Sequence, residues 1–443
     1  MVGETTHRKT TARKVTVASL VGTTIEWYEF FIYGTAAALV FPALFFPSED
    51  PLVGILVSLS TFAVAFLARP IGGVVFGHLG DRVGRKATLV LTLMLMGGAT
   101  FAIGLLPTYH SVGVAAPVLL VALRVIQGLS LGGEYGGSVL MAVEHSRGRR
   151  RGFFGSVVNM GAPAGLLLAN GVYLGLSVLS EDAFLSWGWR VPFLLSVILL
   201  VVGTVIRLRL SESPEFAGAD SASAPRTPFM TVIASHLGPA LLMMLAYASA
   251  GVTFYIGTVF SLSFGTTTLG IERDLLLLLV VVGNLVAIVG LPFFGWLSDH
   301  TNRRAIFIAG ILGMGVLAWP WFGALASGSI GWMVLGFSAL FIPYAATYGT
   351  MAAFFAHVFP PAVRFTGMSL GYTLGTVVSS AIAPLVATGL LGMTGSWTAI
   401  AIYMSATAAI SAVAAFFLSE RFAPSDMLRS GSTGRAGARQ DAH

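Results

Sequence analysis

The 443-residue chain contains no cysteine. That excludes a disulfide framework, a thiolate metal site and a cysteine nucleophile. Charge is also scarce. Asp, Glu, Lys and Arg make up 10% of the residues, where a soluble domain carries about 25%. Histidines are few and scattered, and there is no GxSxG or Walker loop and no soluble catalytic stretch. An enzyme is therefore not expected, nor a cofactor or a resident metal. A net charge of +6 can signal nucleic acid, but the basic residues lie in short loops between apolar runs. In that setting they report topology.

What is abundant is apolar: 56% of the residues are hydrophobic. Apolar runs fall at roughly 15–41, 54–78, 88–107, 114–141, 153–177, 190–209, 237–262, 274–296, 305–325, 331–357, 366–391 and 397–418. Each is near the ~20 residues that a helix needs to cross a bilayer. The expectation is an all-α membrane protein of about twelve transmembrane helices. The first run is too long for a signal-peptide core, so no cleavable leader is expected. Basic residues cluster in the two tails and in every second loop, as at Arg82, Arg85 and Lys86 or Arg149, Arg150 and Arg151. Only Arg190 and Arg273 lie in the opposite loops, and Arg69 and Arg124 lie inside spans. The positive-inside rule then puts both termini in the cytoplasm of a multi-pass cell-membrane protein.

The chain divides into a tail at 1–14, a six-helix bundle at 15–210, a polar linker at 211–228, a second bundle at 229–420 and a disordered tail at 421–443. A repeat supports the two halves. Gly77–Lys86 follows the second span, and a similar decapeptide, Gly295–Arg304, follows the eighth. Glu144, Arg151 and Gly152 are echoed by His357, Arg364 and Phe365. Duplicated six-span units are a mark of transporters, with the substrate site near the midplane between the repeats. A monomer is expected, with a small-molecule substrate and the lipid bilayer as its partners.

The first span carries two acids, Glu26 and Glu29, on one helix face. A charge at this depth costs about 2.5–3.5 kcal/mol on insertion scales and marks a functional group by default. Two acids this close disfavour joint ionisation, which suits a proton carrier. Arg124, deep in the fourth span, needs compensation for its charge. Tyr33, Gln127, Asn159, Tyr255, Asn284 and Tyr348 are candidate polar groups around a substrate. Arg69 and Glu134 lie nearer the cytoplasmic ends of their spans and read as a structural or gating pair. Gly128, Gly132 and Gly136, and likewise Gly367, Gly371 and Gly375, form stripes that let helices approach closely.

The loop Gly77-His78-Leu79-Gly80-Asp81-Arg82-Val83-Gly84-Arg85-Lys86 resembles the signature of the major facilitator superfamily. More narrowly, the chain is similar to the metabolite:proton symporter family, which includes transporters for proline and betaine, shikimate, α-ketoglutarate and citrate. That similarity rests on Glu26-Trp27-Tyr28-Glu29-Phe30, Phe66-Leu67-Ala68-Arg69-Pro70, Arg124-Val125-Ile126-Gln127-Gly128 and Trp189-Arg190-Val191-Pro192-Phe193. The resemblance implies two pseudo-symmetric bundles and a charge network that latches their cytoplasmic ends in one state. Its members here would be Asp81, Arg82, Arg85, Glu144, Arg151, Asp299, Arg303 and Arg364. It also implies that the first and fourth spans line the cavity, which makes Glu26 or Glu29 the expected ion-pair partner of Arg124. His300, Asn302 and His357 depart from the pattern in the second half. The expected activity is proton-coupled symport of a small organic acid by alternating access. Uptake of a zwitterion such as proline or betaine, and efflux, are the alternatives.

Overall fold

A hydrocarbon core offers no hydrogen bonds to a backbone, so a spanning segment must satisfy its own peptide groups as a helix. The computed structural model describes residues 2–83, 85–132, 150–209, 228–360 and 363–418. Among them every apolar run read from the sequence lies on a helix. In the first half these are α1 (Val2–Leu39), α2 (Pro51–Val83), α3 (Arg85–Leu105), α4 (Ala115–Leu131), α5 (Arg151–Gly175) and α6 (Val191–Arg209). In the second they are α7 (Leu237–Thr267), α8 (Arg273–His300), α9 (Arg303–Ala326), α10 (Ile330–Phe355), α11 (Arg364–Thr394) and α12 (Thr398–Phe417). Nine helices of the described residues are long and apolar enough to span a membrane, and the shorter α3 and α4 are apolar as well. Residues 211–227 of the expected linker at 211–228 and the whole tail at 421–443 lie outside the described residues, as do Glu134, Gly136 and Glu144.

The helices form two bundles of six. In the first, α1 packs on α5, α2 on α4 and α3 on α6. In the second, α10 packs on α8 and α9, and α12 on α7 and α9. The glycine stripes account for the closest approaches. A Cβ on Gly128 would press on the Ala65 carbonyl, and one on Gly132 on the backbone at Gly73, so α2 and α4 touch backbone to backbone. Gly371 and Gly375 seat α11 against Met243 and Tyr247 of α7 in the same way. Without a hydrophobic force between helices in lipid, such contact area holds them together.

Between the halves, α5 lies against α8 and α10, α1 against α7, and α2 against α11. Two of these contact helices are irregular. Wide π-turns occupy Ile256–Phe260 in α7 and Val377–Ala381 in α11. Turns of this kind recur at functional sites because they bend a helix and free backbone groups. Asn302, which departs from the loop pattern, caps α9: its side chain accepts from the Ala305 N–H at 3.2 Å.

Candidate functional site

Arg124 sits midway along α4 with none of its surface exposed. Its guanidinium carbon stands 3.7 Å from the centre of the Tyr33 ring, 5.0 Å from Phe30 and 5.4 Å from Phe62. Nη1 donates to Gln127 Oε1 at 2.9 Å, and Nη2 donates to the Phe62 carbonyl at 3.1 Å. All of these partners are neutral, and Nε is buried with no hydrogen-bond partner. The expected ion pair with Glu26 or Glu29 is not among its contacts. Aromatic faces and a helix carbonyl carry the charge instead, which is how a guanidinium is held when no acid is in reach.

Glu29 is also fully buried, and Glu26 is half-buried. Glu29 reaches Arg124 through two neutral side chains. Its Oε2 lies 3.2 Å from the Thr100 hydroxyl on α3, and Gln127 Nε2 donates to that same hydroxyl at 2.7 Å. The order is therefore Glu29, Thr100, Gln127, Arg124, drawn from α1, α3 and α4. Thr100 escaped the sequence reading, since a lone threonine in an apolar run carries no signal of its own.

Arg69 lies near the basic end of the apolar span Pro51–Gly73 of α2. Its guanidinium carbon stands 4.7 Å from the centre of the Phe66 ring, 5.0 Å from Phe30 and 5.7 Å from Trp27. Phe30 thus lies between the two arginines. Tyr255 on α7 closes over this aromatic cluster from the other half, with ring centres 5.5 Å from Phe62 and 5.6 Å from Phe66. Its hydroxyl is buried and has no hydrogen-bond partner, a costly state that a ligand would relieve. Of the predicted polar groups, Tyr33, Gln127 and Tyr255 gather around Arg124. Asn159 donates to the Tyr348 carbonyl at 2.8 Å and so ties α5 to α10. The Tyr348 ring stacks on Tyr344. Asn284 donates back to Val280 of its own helix, leaving its carbonyl oxygen buried and unpartnered.

The halves meet at both ends of this centre. At the end carrying the basic loops, Asp299 grips the first turn of α5: its carboxylate oxygens accept from the Gly152 N–H at 2.7 Å and the Phe153 N–H at 2.9 Å. A carboxylate at a helix N-terminus meets both unpaired N–H groups and the positive end of the dipole. Beside it, His357 lies between the two halves. Arg151 Nη1 donates to His357 Nε2 at 3.2 Å, and Arg303 Nη1 lies 3.0 Å from Nδ1. Nδ1 also faces the Ala353 carbonyl at 2.6 Å. Arg151 only donates and the Ala353 carbonyl only accepts, so Nε2 accepts and Nδ1 carries the proton, and Arg303 approaches Nδ1 without a hydrogen bond. Burial pushes the His357 pKa down to about 4; the Ala353 carbonyl pulls it upward, and the charges of Arg303, Arg151 and Arg364 each add a smaller downward push. Arg364 donates to the Phe359 carbonyl. The side chains of Asp81, Arg82 and Arg85 lie outside the described ones. At the opposite end, the Arg273 guanidinium covers the Phe184 ring at 4.3 Å, and Gly392 of α11 packs on Leu52 of α2. Arg124 and Glu29 are thus shut in from both ends.

Comparison with known proteins agrees with this architecture. A model of the Major Facilitator Superfamily matches residues 20–384, and again 267–438. The chain is 40% identical over 414 residues to an Escherichia coli protein named inner membrane metabolite transport protein YhjE, covering 90% of this chain and 92% of that one. It is 38% identical over 417 residues to the shikimate transporter of the same organism, covering 92% and 95%. Among solved structures, that of a D-xylose-proton symporter superposes with a TM-score of 0.72 at 16% identity, over 93% of this chain and 98% of that one. Two six-helix bundles, a repeated loop signature and similarity over nine-tenths of the length lead to one assignment: this multi-pass membrane protein belongs to the major facilitator superfamily, a family of transporters rather than enzymes.

Proposed function

We propose that this chain carries a small organic acid into the cell together with a proton, by alternating access across the cytoplasmic membrane. The observation that carries the reading is Arg124, a fully buried guanidinium whose partners are all neutral. A buried cation is costly until an anion meets it. A substrate carboxylate supplies that charge, and the unpartnered Tyr255 hydroxyl supplies a donor from the other half. Glu29, or Glu26 one turn away, carries the coupling proton. The Asp299 clamp and the Arg151–His357–Arg303 contact serve as the gate at the basic end, which the positive-inside rule assigns to the cytoplasm. The name of the shikimate transporter supports a carboxylate substrate.

The test is uptake by the purified protein in liposomes under an imposed proton gradient, with labelled shikimate, dicarboxylates, aromatic acids and betaine offered in turn. A carboxylate accumulates with the gradient, and a protonophore abolishes the accumulation. Arg124→Ala loses both uptake and exchange. Normal carboxylate transport by Arg124→Ala would overturn the anion site. Uptake of betaine alone would shift the reading to a zwitterion, and net movement against this direction would shift it to efflux.

A further inference from the structure

Arginines elsewhere in this chain spend their N–H groups on carbonyls or on an acid. Arg190 donates to the Gly104 and Leu106 carbonyls at 2.8 and 2.6 Å, and Arg273 pairs with Asp274 at 3.4 Å. Arg69 does neither. It is 6% exposed, its Nε is buried without a hydrogen-bond partner, and among the described residues it makes no hydrogen bond and no ion pair. Its guanidinium rests on the rings of Phe66, Phe30 and Trp27. Ring faces lower the cost of burying the charge, but they give its N–H donors no acceptor in the plane of the fork. The cation also looks towards the second half. Tyr247 and Tyr255 of α7 and Tyr372 of α11 all stand in its field. Arg69 acts on Tyr255 more strongly than Arg124 does, and the Tyr255 hydroxyl is buried without a hydrogen-bond partner. The Tyr255 ring in turn lies 5.6 Å from Phe66 and 6.5 Å from Phe30. Unused donors from both halves therefore stand over one aromatic floor.

We propose that Arg69 is a second substrate-binding residue, which takes the second carboxylate of an acid whose first carboxylate is held by Arg124. The inference deepens the symport reading and rests on its anion site. Both guanidinium carbons stand 5.0 Å from the centre of the Phe30 ring, so they are no more than twice that distance apart. A carboxylate held in an arginine fork has its carbon about 4 Å from the guanidinium carbon. A diacid with a chain of about four to six carbons therefore reaches both. The link between its two ends crosses the Phe30 ring, an apolar surface that suits methylene groups. Charge points the same way. One carboxylate compensates one guanidinium and leaves the other with ring faces only, whereas two compensate both. A substrate hydroxyl could accept a hydrogen bond from Arg69 but would bring no charge. Tyr255 donates to the carboxylate at Arg69 from the opposite half, so only an acid with two charged ends draws both halves onto itself fully. A structural or gating role for Arg69 predicts no such discrimination between acids.

Binding to the purified protein is measured at neutral pH with probes matched in chain length: succinate, glutarate and adipate against butyrate, valerate and hexanoate. The best diacid should bind more tightly than its mono-acid partner by roughly 10- to 150-fold, the range for a hydrogen bond to a charged group. Arg69→Gln brings that ratio towards one by weakening the diacid. Arg69→Lys, which keeps the charge but not the planar fork, retains part of it. A ratio near one in the natural protein overturns the proposal without any variant having to fold. Equal loss of both acids in a folded Arg69→Gln overturns it too, because Arg69 then serves structure or gating. Tighter binding of shikimate than of every diacid does the same, since hydroxyls then stand where the second carboxylate was expected. Uptake under an imposed proton gradient separates this proposal from the symport reading. Diacid preference without driven uptake keeps Arg69 in the site and removes the symport. Driven uptake with no preference between mono-acid and diacid keeps the symport and removes the second subsite.

Discussion

Gly152 brings α5 and α8 into close contact at the basic end, and a single methyl group there should open it. A Cβ on Gly152 would overlap the Gly295 carbonyl oxygen and the Ser298 hydroxyl of α8, and would lie 2.9 Å from Asp299 Oδ1. The carbonyl is backbone and cannot rotate away, so α5 and α8 must separate. Overpacking of this kind costs about 1–3 kcal/mol. The cost falls only on the closed state, because the halves part when this end opens. Any gain in helix propensity from alanine applies to both states and cancels. Gly152→Ala should therefore shift the closed-to-open ratio by about 5- to 150-fold. The lack of native cysteine makes the assay direct. Ser156, fully buried beside Gly295, is replaced by cysteine as the only thiol. An aqueous maleimide then reports opening by its rate of reaction. The Gly152→Ala background should react faster by a factor in that range. An unchanged rate would show that α5 and α8 do not form the gate.

Two further outcomes use the same thiol. Asp299→Asn leaves a neutral group at the start of α5 and forfeits the charge–dipole term, worth about 0.3–1 kcal/mol; reaction of the Ser156 thiol should quicken by a few-fold, and identical rates would make the clamp ornamental. His357 predicts a pH dependence whose sign follows from its lowered pKa. Held at about 4 against an ordinary 6.5, it is neutral in the closed end and takes up protons more readily once exposed. The closed end is fully stable above about pH 6.5, weakens as pH falls through that window and has lost the whole contribution below about 4. The thiol should react faster as pH drops from 6.5 towards 4, after correction for thiolate content with an unfolded control, and His357→Gln should flatten that slope. His357→Glu should slow the reaction at neutral pH, because Arg151 and Arg303 then share a carboxylate. Faster reaction in His357→Glu would contradict the assignment.

Much of the fold was legible because a bilayer permits so little. An apolar run of spanning length has one stable backbone solution, and among the described residues all twelve runs adopt it. The stripes at Gly128, Gly132, Gly371 and Gly375 were readable for the same reason, since a missing side chain permits one kind of contact. The π-turns in α7 and α11 were not, because residues such as Ile256 and Val377 suit a regular helix and only packing selects the wider turn. At the basic end the expected charge network pointed Asp299 towards arginines, whereas its carboxylate meets the backbone N–H groups of Gly152 and Phe153. A helix start attracts a carboxylate without any basic side chain, and nothing in the residue letters marks it.

The expected partner of Arg124 failed for a more instructive reason. Counting charges demands an acid for a buried arginine, and two acids were at hand on α1. Had Glu29 paired directly with Arg124, an incoming carboxylate would have to displace a tethered one at very high effective concentration. The site as built avoids that competition. Tyr33, Phe30 and Phe62 offer their ring faces, and Gln127 and the Phe62 carbonyl take two of the guanidinium N–H groups. These partners make the cation tolerable without neutralising it, which on the proposed reading leaves its charge for a substrate carboxylate. Glu29 stands two neutral side chains away, beyond Thr100 and Gln127. A carrier needs that balance, because a site that holds its anion too well never releases it.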